Sequence, residues 1–162
     1  MPVFLSGLPL HALIVHAVVV LVPLAVVGTV TIAVWPTARR RYGWLVIGLT
    51  AVATASIPIA MDSGDGLKDR LVPTDLIEQH AHLGDELLVF VIGLLVVSTA
   101  LVWLDRRRQV GEPSRAKAIA IVLSVLTVAF AAVSAVQVVR IGDSGARAAW
   151  SSVQYTAPNQ PR

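Results

Sequence analysis

Residues Leu87 to Leu104 read LLVFVIGLLVVSTALVWL, an uninterrupted run without a charged side chain. A hydrocarbon core about 30 Å thick takes about 20 helical residues at about 1.5 Å each, so this run reads as a membrane-crossing helix. It is preceded at once by Glu78 to Glu86, EQHAHLGDE, with two histidines and three acids. A cluster of titratable groups therefore sits at the mouth of an apolar span. The fold follows from the first stretch, and any chemistry has to be sought around the second.

Three more stretches have the same character: Leu10 to Trp35, Trp44 to Met61, and Ala118 to Val139. The composition agrees, with 56% hydrophobic and 14% charged residues in 162. Soluble domains are nearer half apolar and a quarter charged. The expected fold is all-α, a four-helix transmembrane bundle running up-down-up-down, with residues 1–150 as one membrane domain and 151–162 as a flexible C-terminal tail. Pro23 and Pro58 fall inside spans, where neighbouring helices can compensate a lost hydrogen bond, and a mild bend is expected at Pro23. With no cysteine in the chain, disulfides, iron–sulfur clusters and thiolate zinc sites are excluded. No GxSxG, P-loop, dinucleotide fingerprint or HExxH is found, so hydrolase, nucleotide and zinc-protease readings have no support. The basic residues flank apolar runs and form no aromatic-interleaved patch, so no nucleic-acid partner is expected.

The basic residues also orient the spans. Arg39, Arg40 and Arg41 follow span one, and Arg106, Arg107, Arg108, Arg115 and Lys117 follow span three; together these are eight of the thirteen Lys and Arg. This places both connections in the cytoplasm, and both termini and the 62–83 segment on the extracytoplasmic side of a multi-pass bacterial plasma-membrane protein. A cleaved signal would carry its basic residues before a shorter apolar core, so span one is expected to stay in the mature chain. Pro73-Thr74-Asp75 reads as a helix start with Thr74 or Asp75 as cap, which makes EQHAHLGDE the first turns of the third helix.

All four histidines lie on the outer half. Counting about 20 residues back from the interfacial Trp35 and Trp103 puts His16 and His82 at one level near the outer edge of the hydrocarbon. The same ruler puts His11 and His80 further out, among solvated groups. His11 and His16 are roughly 140° apart around a helix, and His80 and His82 roughly 200°, so neither pair can aim into one pocket from its own helix. One ligand from each helix, His16 with His82, is the sensible combination. Two imidazoles from different helices suit a b-type haem in an electron-transfer protein, with Lys68, Arg70, Arg140 and Arg147 available to its propionates. The alternative is a divalent metal held by His16, His82 and Glu86, with His11, His80, Asp62 or Asp85 within reach. A non-catalytic accessory subunit of a larger membrane complex, or of a homo-oligomer, is the third reading.

Gly7-Leu8-Pro9-Leu10-His11-Ala12-Leu13-Ile14-Val15-His16 resembles the opening motif of the small bacterial membrane proteins called domain of unknown function 2231. His80-Ala81-His82-Leu83-Gly84 resembles the opening of their third span. Arg140-Ile141-Gly142-Asp143-Ser144-Gly145-Ala146, with Trp150, resembles their closing turn. The resemblance spans nearly the whole chain. Relatives fused to Rieske iron–sulfur domains imply redox work at the outer face, with quinone or an iron–sulfur or cytochrome chain as partner. Ala12 stands where that family commonly has proline, and Asp143 where many members have histidine, which makes Asp143 a position to watch as a ligand.

Overall fold

The computed structural model describes residues 4–5, 7–107 and 113–151. Four helices account for nearly all of them: α1, Leu10–Val34; α2, Pro36–Lys68; α3, Asp75–Arg107; and α4, Pro113–Trp150. Each contains a stretch long and apolar enough to cross a membrane. Ahead of α1, the two-residue strands β1 (Phe4–Leu5) and β2 (Leu8–Pro9) pair antiparallel across Gly7, whose φ of +84° is a conformation open to glycine. That small pairing was not expected. The predicted tail lies, apart from Ser151, outside the described residues, as does Arg108.

The helices are longer than the apolar runs suggest. Only Trp35 separates α1 from α2. It is extended, with φ −108° and ψ 102°, as a residue before proline prefers to be. Pro36 then opens α2 at a position where its missing N–H costs nothing. Arg39 to Arg41, expected in a connecting loop, therefore lie in the first turns of α2. At its other end α2 continues through Asp62-Ser63-Gly64 to Lys68, which shortens the expected 62–75 loop to residues 69–74. Thr74 caps α3 as predicted: its Oγ1 accepts the Ile77 N–H at 3.4 Å, and its carbonyl accepts those of Ile77 and Glu78. The closing Gly142–Gly145 segment, expected as a turn, is helical and belongs to α4.

Helix α1 packs on α2 and α4, and α3 packs on α4 and α2, while α1 and α3 face each other with little direct contact. The core along this interior is apolar: Val18, Val22, Ala25, Ala53, Ile57 and Val91 form its main cluster. Much of the outside is apolar too. Val20, Leu45, Val96 and Val139 are all exposed, which fits a lipid-covered surface and no other solvent. Four buried hydroxyls are satisfied on their own helices, Thr29, Thr50, Ser98 and Thr127 each donating to the carbonyl four residues back, whereas the buried Ser134 Oγ has no partner among the described residues.

Candidate functional site

The four histidines divide into an inner and an outer pair, and the inner pair is His11 and His80. Their ring centres are 6.2 Å apart with planes at 87°. His11 is seven residues before the buried Val18, and His80 seven before the buried Leu87. A heptad drifts only about 20° around a helix, so each histidine continues the face that its helix buries. His16 and His82 lie two and five residues before those positions, roughly 200° and 140° away. His16 accordingly faces outward, exposed, donating from Nδ1 to the Ala12 carbonyl of its own helix. His82 is 74% exposed and lies 3.5 Å from Glu86. The structure does not bring His16 and His82 together. It joins instead the two histidines expected to be solvated.

Each inner histidine is held in the same way. His11 Nδ1 lies 3.0 Å from the Ala60 carbonyl and 3.3 Å from Ser63 Oγ. His80 Nδ1 lies 3.0 Å from Ser144 Oγ. Both serines are buried, and each donates its own proton to the carbonyl three residues back, Ala60 at 2.8 Å and Ile141 at 3.0 Å. A hydroxyl that spends its proton this way offers only lone pairs to the ring. A carbonyl offers nothing else. The Ala60 carbonyl therefore fixes the proton of His11 on Nδ1, the same tautomer at His80 follows where Ser144 gives its proton to Ile141, and in the neutral ring Nε2 then keeps its lone pair. This is the arrangement by which an outer hydrogen bond fixes the tautomer of a metal-binding histidine. The glycine after each serine lets the ring approach: a Cβ at Gly64 would sit 3.0 Å from His11 Cε1, and one at Gly145 would sit 2.9 Å from His80 Cε1.

The remaining predicted residues lie elsewhere. Glu86 accepts a short hydrogen bond from Gln137 Nε2, and Arg140 donates to Gln137 Oε1 at 3.4 Å. These three, with Val89, Phe90 and Val136, line an open groove of about 560 Å³ between α3 and α4. Asp143 is exposed and pairs with Arg147 at 3.0 Å on the same helix. Arg70 lies in the 69–74 connection, and Asp62 and Asp85 are exposed. Among the described residues no group of three or more His, Asp or Glu is placed to hold a bare ion.

Sequence reasoning missed Ser63, Ser144 and the two glycines beside them. The signal was present as one triplet, Asp-Ser-Gly, at positions 62–64 and again at 143–145.

No curated protein and no solved structure matches this chain. A family described as predicted membrane protein matches residues 7–158, which include both inner histidines, both Asp-Ser-Gly triplets and all four helices. The chain belongs to that family, domain of unknown function 2231, and is a multi-pass membrane protein built as a bundle of four helices.

Proposed function

We propose that this protein holds a b-type haem between α1 and α3, through His11 and His80, and takes part in electron transfer at the outer face of the bacterial plasma membrane. In this reading the helices run up-down-up-down with both termini extracytoplasmic. The observation that carries it is the inner histidine pair. Two imidazoles that share one ion through bonds of about 2.0 Å can have their ring centres about 6 Å apart. The 6.2 Å separation of His11 and His80 fits that span. A two-imidazole set is complete for haem iron, because the macrocycle supplies the other four ligands; a bare zinc or non-haem iron wants at least three protein ligands.

When bound, a haem would supply a one-electron ferric–ferrous couple. The chain's own residues then do three things. His11 and His80 present lone pairs at Nε2, and Ser63, Ser144 and the Ala60 carbonyl hold the Nδ1 protons. Buried Ala60, Leu83 and Leu87, on the helices that carry or hold the rings, keep the adjoining part of the span apolar. Arg70 and Arg140, which lie away from the pair at the same end of the bundle, are proposed as the cations for the propionates. Quinone, or an iron–sulfur or cytochrome chain, would be the electron partner.

The visible spectrum tests the reading. Protein expressed with ample haem and purified in detergent should show a Soret band and sharp reduced α and β bands. His11→Ala and His80→Ala should each abolish the low-spin spectrum, while His16→Ala and His82→Ala keep it. A wild-type protein without a Soret band after haem reconstitution would overturn the proposal, and so would loss confined to the outer pair.

A further inference from the structure

The two halves of the bundle are built alike. A shift of 69 positions carries His11 onto His80 and every buried residue of α1, from Val18 to Ala33, onto a buried residue of α3, from Leu87 to Val102. The same shift lays Thr29 on Ser98. Thr29 returns its hydroxyl to the carbonyls of Ala25 and Val26, and Ser98 returns its own to those of Leu94 and Leu95. Between α2 and α4 a shift of 81 positions carries Asp62-Ser63-Gly64 onto Asp143-Ser144-Gly145. Of the eight buried residues of α2 it carries four, Arg39, Thr50, Ala53 and Ser63, onto buried residues of α4, so the match is closer between α1 and α3 than between α2 and α4. The interfaces match in extent as well: α1–α2 with α3–α4, and α2–α3 with α1–α4. A seam spaced by threes and fours is general to packed helices. A common register for the seam, the histidine, the back-bonded hydroxyl and the serine that holds the ring is not.

We infer that the bundle is a duplicated two-helix unit whose pseudo-twofold axis passes between His11 and His80, and that one metal ion on this axis is held by both Nε2 atoms, with Ser63 and Ser144 as equivalent positioning residues. Parallel repeats related by an axis along the membrane normal are a known way of building membrane proteins around a central site. The duplication explains why two half-sites, far apart in sequence, repeat each other's distances: 3.3 and 3.0 Å from Nδ1 to serine, 2.8 and 3.0 Å from serine to carbonyl. A duplicated half-site supplies ligands in pairs, which suits a haem, for which His11 and His80 would be the two protein ligands. The identity of the ion rests on the haem reading; the equivalence of the halves does not.

The test uses the full-length protein loaded with haem, with Ser63→Ala, Ser144→Ala, both together, and each serine replaced by threonine. Removing the serine acceptor weakens the pull on the Nδ1 proton and makes the ring a poorer donor to ferric iron. The midpoint potential should therefore rise in either single variant, less for Ser63→Ala because the Ala60 carbonyl still accepts from His11, and by about the sum of the two in the double variant. Threonine, which keeps the hydroxyl, should restore the wild-type value. If haem binds and one serine matters while the other does not, or neither does, the equivalence is overturned and the haem reading stands. If wild-type protein binds no haem, the haem reading falls, and nitrogen NMR of the imidazoles decides the inference. Nδ1-protonated neutral rings at both His11 and His80, with each alanine variant perturbing its own ring alone, support it. Different tautomers at the two rings overturn it.

Discussion

Gly64 and Gly145 decide whether the inner histidines can occupy their places. A side chain at either must share space with an imidazole carbon that would lie 3.0 or 2.9 Å from its Cβ. The ring is anchored at Nδ1 and cannot retreat without losing its serine. Gly64→Val and Gly145→Val should therefore weaken cofactor binding roughly 10–100-fold, as loss of supporting contacts around a metal ligand does, while helix content by circular dichroism stays unchanged. Titration of the purified variants with haemin checks this. The histidines were legible in the sequence as candidates, but the pair that the fold brings together was not. Helix α1 is apolar on every side, so hydropathy carries no sign of which face is buried. A depth ruler without that phase selects His16 and His82. The heptad relation of His11 to Val18 and of His80 to Leu87 carries the missing information, and it becomes readable only once the buried face is known.

Arg39 ties three helices together at the opposite end of the bundle. It lies on α2, donates to the Ile32 and Ala33 carbonyls at the end of α1 at 3.2 and 3.4 Å, and meets Asp105 of α3 at 3.3 Å. Those carbonyls are among the acceptors that a helix terminus leaves unpaired. Both side chains of the ion pair are nearly sealed, at 6% and 9% exposure. Removing one partner leaves the other charged and unpaired, which typically costs about 3–5 kcal/mol. Arg39→Ala and Asp105→Ala should each lower thermal stability markedly in detergent, and a paired Arg39→Met/Asp105→Leu variant should recover most of it. Denaturation monitored by circular dichroism checks the order. The existence and number of the helices were plain from four apolar runs, and so was the Thr74 cap. Their ends were not, because the polar first turns of α2 and the Asp-Ser-Gly segments carry loop-like composition. In place they are held by Pro36, by Arg39 on the α1 carbonyls, and by serines bonded to their own helices.

At the scale of the whole molecule, the apolar exterior fits a membrane, and the segregation of basic residues predicts which way the bundle is oriented in it. The absence of cysteine makes that orientation directly measurable. Val72→Cys, in the exposed 69–74 connection, should be labelled in intact cells by a membrane-impermeant maleimide, and Thr37→Cys, at the start of α2, only after the membrane is opened. The reverse pattern would invert the topology and move the histidine pair to the cytoplasmic face. The sequence already carried the membrane class, the family resemblance and the placement of the histidines on one side. The internal duplication was present in the repeated triplet, but it acquires physical meaning only when both copies are seen holding a ring. The proposed function depends on two imidazoles sharing one iron, and electron paramagnetic resonance of the oxidised, haem-loaded protein tests that directly. With ring planes at 87°, a haem held by His11 and His80 should give a highly anisotropic low-spin ferric signal. A high-spin ferric signal from the wild-type protein, unchanged by His11→Ala or His80→Ala, would contradict it.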